Sequence, residues 1–185
     1  FIEAFIALLA NTLARSPRFQ TKKTIGEFLH IILQGEATLF RQNIQALYSI
    51  DPDTLRPAAA PTSTAKLMAA FLERIAYGTS YLDQITVVSV AEGVYLHWAS
   101  SLIAEGLVPS TEPDGLDPHQ KLFWLWIVPL HASPEFSDTI NSIITEFNVA
   151  WEAATEGERC QARSVMAEML DLEWAFTNDV PQGMS

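Results

Sequence analysis

The chain has 185 residues, of which 49% are apolar and 18% charged. That length supports one core that buries roughly 70% of the unfolded surface without help from a disulfide or metal, and the apolar content excludes a disordered chain. Acidic residues number 22 against 11 basic ones, for a net charge of −11. This charge repels phosphate backbones and anionic lipid, so it argues against nucleic acid and membrane surfaces as partners.

One cysteine, Cys160, leaves no internal disulfide and no cysteine metal site, and suits a reducing compartment. Glu3 stands where a signal peptide carries basic residues. No apolar run is expected to approach the ~20 residues that span a bilayer, since the longest, 122–130, contains Pro129.

The hydrophobic period is near 3.6 almost throughout, which predicts helices. Residues 1–14 open in full helical rhythm with no cap, as though a front end were missing, and stop before Ser16-Pro17. Residues 22–50 read as a long helix with Ile25, Phe28, Leu29, Ile32, Leu39, Phe40, Ile44 and Leu47 on its apolar side, ended by Asp51-Pro52-Asp53. Prolines 57 and 61 predict a loop over 56–63. The next helix covers 64–77, with Gly78 as its stop. A very apolar helix follows over 80–105, ending at Gly106; its stretch 85–90 has strand-like propensity that the helical stripe overrides.

A second loop spans 109–115. Asp117, Pro118 and Gln120 form a capping box that opens a helix to about residue 130. Ser133-Pro134 caps the next, to about 154, and Thr155 with Glu158 opens a last one to about 178. No internal repeat or domain boundary shows, so residues 1–185 read as a single all-α bundle of about seven helices.

Three glutamates sit in the middle of apolar stripes. Tyr81, Ile85, Val88, Glu92, Tyr95, Ala99 and Leu102 share one helix face; so do Met166, Met169, Glu173, Phe176 and Val180; so do Leu29, Ile32, Glu36, Leu39 and Asn43. A carboxylate facing a core must be paired, hydrogen-bonded or protonated. Two acids in one pocket push their pKa values apart, which yields one general acid and one general base. On this ground Glu92 and Glu173 are candidates for catalysis; the other reading gives each a buried Arg, a Tyr hydroxyl or a free helix end as partner. Gly93, inside the apolar helix, predicts the close approach of a neighbouring helix or of a flat ligand.

Metal chemistry has little support. A carboxylate-bridged di-metal bundle needs two Glu-x-x-His pairs, and only Glu27 with His30 fits. His97, next to the Glu92 face, reads as a satisfied core or surface histidine or else as a polar pocket residue, and His119 and His131 sit at helix ends, where structural roles are commoner. Cys160 lies about 13 residues, or roughly 20 Å of helix, from Glu173. There is no phosphate-binding Gly-rich loop and no Gly-x-Ser-x-Gly motif.

Several segments resemble the TenA (thiaminase II) family, whose fold is the heme-oxygenase-like helical bundle. Phe123, Trp126, Ile127, Leu130, Ser133, Glu135 and Phe136 resemble that family's run of Tyr, Trp, Ile, Tyr, Ser, Glu and Phe. Glu173-Trp174-Ala175-Phe176 resembles its closing Glu-x-x-Phe. The segment 88–98 resembles the helix that carries an active-site Cys or, in a Cys-less branch, a glutamate one position later; here Ala91 precedes Glu92, which resembles the glutamate branch. Glu36 fits the family's acidic second helix.

The resemblance implies an aminopyrimidine hydrolase of thiamin salvage, with Glu92 and Glu173 catalytic and Tyr95, Trp98, Phe176 and Phe123 against a small-molecule substrate. It further implies no cofactor or metal, a homodimer or homotetramer, and a cytoplasmic location. The family's first-helix Tyr would stand near Phe1, with its Asp upstream of the residues present. The tyrosine expected near Lys66-Leu67 is absent, and Phe123 replaces another. Loss of those polar groups leaves a second expectation, a non-catalytic binder of small molecules on the same fold.

Overall fold

The computed structural model describes residues 2–49, 51, 61–109 and 115–178, with their side chains except at 35–37, 39, 40, 44, 47 and 48. Within them the secondary structure is helical, without a strand: α1 (Ile2–Arg15), α2 (Phe19–Ile31), α3 (Ala37–Tyr48), α4 (Ser63–Gly78), α5 (Tyr81–Ala104), α6 (Pro118–Leu122), α7 (Val128–His131), α8 (Pro134–Ala153) and α9 (Glu156–Thr177). A π turn over Ile32–Glu36 joins α2 to α3, and another over Phe123–Ile127 joins α6 to α7. Counting each joined pair as one rod, the described residues make seven rods, and the strand-prone stretch at 85–90 is helical.

The caps are local and behave as their spacing predicts. Asp117 with Gln120 and Thr155 with Glu158 form reciprocal capping boxes, and the Ser133 hydroxyl accepts from the Phe136 amide. Ser80 with Asp83 forms a third box, at the start of α5. α5 ends in a Schellman arrangement: Leu107 N–H donates to the Leu102 carbonyl and Gly106 N–H to that of Ile103, with Gly106 at φ 70°. This is a backbone shape that glycine adopts without a Cβ clash.

Two expected boundaries shift. The second rod begins at Phe19, ahead of residue 22, and Gly78 is the last residue of α4 rather than a stop beyond it. There the Thr79 hydroxyl donates to the Ile75 carbonyl and closes the end. The loops expected at 56–63 and 109–115 fall largely outside the described residues.

The core is one cluster drawn from α1, α2, α4, α5, α8 and α9. α5 is its axis, packing against α1, α4, α7, α8 and α9. Residues 82–89 of α5 are buried without interruption, which is why its sequence is apolar all round. By length and composition α5 is also long and apolar enough to cross a membrane, which corrects the expectation that no run qualifies. Here residues 82–89 face the other helices, and the Gln84 amide donates to the Ile75 and Ala76 carbonyls at the end of α4.

Phe28 is fully buried, edge-on to Phe5 at 6.4 Å. Truncating it leaves a cavity that the surrounding core fills only in part. Phe28→Ala is expected to lower stability by about 3–5 kcal/mol, and Tyr77→Ala, on the exposed face of α4, by less than about 0.5 kcal/mol. Urea midpoints of the two variants check this contrast.

Candidate active site

Beyond residue 90, α5 still buries Ala91, Glu92 and Ala99, and another of its faces borders a cavity of about 570 Å³. Val94, Tyr95 and Trp98 of α5 form one wall, Phe123 and Ile127 of the π turn a second, and Leu170, Glu173, Trp174, Phe176 and Thr177 of α9 a third. The volume is typical of small-molecule sites. Five of the six residues singled out from the sequence therefore meet around one space: Glu173, Tyr95, Trp98, Phe123 and Phe176.

The aromatic wall is built in layers. Trp98 and Phe123 stack almost parallel, at 5.6 Å and 7°, and Tyr95 lies 6.0 Å from Trp98. Behind them His131 stacks on Tyr95 at 5.0 Å and meets Phe136 edge-on at 4.9 Å. The His131 ring is buried, its Nδ1 is 2.8 Å from the Ile127 carbonyl, and burial pulls its pKa below the usual imidazole value. A neutral ring with Nδ1–H donating to that carbonyl fits both facts.

The π turn that carries Phe123 has a local cause. Pro129 has no N–H, and its ring would press on the Leu125 carbonyl in a straight α-helix. The Val128 N–H instead reaches back five residues to the Phe123 carbonyl, which widens the turn and relieves that contact.

Glu173 is the polar centre of the cavity. Its side chain is buried, with the residue 5% exposed, and Oε1 has no hydrogen-bond partner. Desolvation raises its pKa from 4.5 to about 7. A second buried glutamate shows the alternative solution. Glu146 of α8 accepts from the Arg18 guanidinium and the Thr21 hydroxyl, a pairing that ties the start of α2 to α8.

Glu92 is buried at 7% exposure, one turn before Tyr95 on the same face of α5, and is not among the residues lining this cavity. The side chain of Glu36 lies outside the described residues. A Cβ added at Gly93 would meet open space within 4 Å, so among the described residues no helix packs closely against it, and of the two expectations only the approach of a flat ligand is left. His97 and Cys160 are exposed. Among the described residues no three His, Cys, Asp or Glu side chains gather as a metal site.

The sequence reading did not single out Val94, Ile127, Leu170, Trp174 and Thr177 as lining residues, although Leu170 and Thr177, three before and four after Glu173, share its helix face. His131 had no such signal, because it reaches the wall through the fold and not through spacing. Together these features define an all-α protein with an aromatic-walled cavity around one buried carboxyl. No protein-family model matches the chain, and no curated protein matches it.

The raised pKa carries a stability consequence. The unfolded chain releases the Glu173 proton near 4.5 and the folded one near 7. The fold therefore binds more protons in that window, and stability is lost as pH rises from about 4.5 through 7. The full difference is about 3 kcal/mol. Glu173→Gln is expected to match wild type near pH 4.5 and to exceed it by up to that amount at pH 8, read as the gap between their Tm values across pH.

Proposed function

We propose that this chain is a TenA-like hydrolase of aminopyrimidines on a heme-oxygenase-like bundle, working by glutamate acid–base chemistry without a nucleophilic cysteine. The observation that carries the reading is the buried carboxyl of Glu173 facing an aromatic cavity, its Oε1 without a hydrogen-bond partner and its pKa raised to about 7. A group balanced between its two forms at neutral pH is suited to giving up a proton during turnover.

In this reading a flat ring lies against the stacked Trp98–Phe123 pair and Phe176. Water activated by Glu92, which takes its proton, attacks the carbon that bears the departing amine. That C–N bond then breaks, and Glu173 gives its proton to the departing nitrogen, which leaves as ammonia. Glu92 supports the role by its place: it is buried one turn from Tyr95, on the helix that supplies the first wall. Each such proton transfer contributes roughly 100- to 10,000-fold.

Glu92→Gln and Glu173→Gln should each lower ammonia release from an aminopyrimidine by roughly 100-fold or more, with far-UV circular dichroism unchanged. Full turnover in both variants rejects the assignment. Wild-type turnover should also decline as pH rises through about 7, where Glu173 loses the proton it donates.

The cavity's lining also favours a second reading. Apart from Glu173 its walls are almost wholly apolar, and Glu92 is not part of them. A non-catalytic binder of small molecules needs no more than this. Thermal shifts with pyrimidines, thiamin and apolar metabolites separate the two, since binding without turnover supports the binder.

A further inference from the structure

We propose that the cavity beside Glu173 receives an organic ammonium ion, with its cationic nitrogen at the carboxylate and its apolar body against the aromatic rings. The inference shares its site with the hydrolase reading but does not depend on hydrolysis.

Charge complementarity selects this class. The lining contains one acid and no Lys, Arg or His, so an anion would find no cationic partner and would face Glu173. A ligand rich in hydroxyls fares little better, because most of the wall offers rings and aliphatic groups rather than hydrogen-bond partners, and buried polar groups left unpaired weaken binding. A cation with apolar substituents meets neither difficulty. Tyr95, Trp98, Phe123, Trp174 and Phe176 present five aromatic rings to the space, and ring faces attract cations most strongly where water is excluded. The carboxylate supplies the countercharge, and its Oε1 has no protein group to displace. The net charge of −11 raises the local concentration of cations around the chain.

The entrance is also marked. Trp174 is 74% exposed and Leu170 45%, while Glu173 between them is buried. The rim is thus an accessible tryptophan beside a sunken acid, so an arriving ligand alters Trp174 fluorescence. Binding has a further signature. A fixed positive charge favours the ionised carboxylate, so at pH 7, near the value to which burial raises Glu173, capture of a quaternary ammonium releases protons.

The test titrates the full chain with benzyltrimethylammonium, benzyl alcohol and phenylacetate, followed by tryptophan fluorescence and by calorimetry at pH 7 in buffers of different ionisation heat. The cation should bind at least roughly tenfold more tightly than the alcohol, with proton release, and phenylacetate should not bind. Glu173→Gln should lose about tenfold or more for the cation, keep its affinity for benzyl alcohol, and release no proton.

Equal affinity for cation and alcohol, no binding of the cation, or undiminished cation binding by Glu173→Gln overturns the proposal. The cation-to-alcohol ratio and the proton release are read on wild type, so the proposal stays testable if the variant does not fold. Aminopyrimidine turnover measured on the same samples separates the two readings. Turnover without cation preference removes this inference and leaves the hydrolase, and cation preference without turnover does the reverse.

Discussion

A carboxyl group that has lost its water and gained no replacement is the constraint around which this site is organised. Ionising Glu173 in its apolar surroundings costs free energy that a hydrogen bond or a cation would return, and its Oε1 has neither within the protein. Glu146 shows that the fold can supply such partners. That side chain is similarly buried, yet Arg18 and Thr21 both reach it. One glutamate is therefore committed to holding α2 against α8. The other retains its capacity to bind a proton or a cation, and it is the one that faces a cavity.

The division of α5 into two halves places that carboxyl. Residues 82–89 are enclosed on all sides and anchor the bundle. The half beyond residue 90 keeps the same stripe, but its large side chains, Tyr95 and Trp98, border open space. A wall of rings is stiff only if its members are held from behind, and here His131 and Phe136 hold Tyr95 while Phe123 stacks on Trp98. Pro129 contributes at one remove, by widening the turn on which Phe123 sits. Packing, backbone geometry and the neutral state of His131 thus converge on one aromatic surface.

Much of this was legible in the residues. The Asp117–Gln120 and Thr155–Glu158 boxes were readable because a cap is a contract between residues three apart. The stripe through Ile85, Val88, Glu92 and Tyr95, and that through Met169, Glu173 and Phe176, were readable because helical spacing decides which side chains share a face. The π turn over Phe123–Ile127 was not, since it depends on how a local clash at Pro129 is relieved. His131 was hidden for another reason: its importance comes from Tyr95 and Phe136, which only the fold brings to it. Gly93 left two readings open, because a small residue in an apolar helix is compatible with close packing and with open space alike, and the fold removes the first.

The order of residues by itself determined the helices, their caps, and the fact that Glu173 would point toward other helices. All of these arise within about four residues along the chain, where geometry is set by the backbone period. The tertiary structure alone decided that Glu173 would be left without a partner while Glu146 acquired two, and that aromatic rings from α5, the π turn and α9 would meet around it. Solvation of a carboxyl depends on what distant segments bring to within hydrogen-bonding reach, and no local spacing records that.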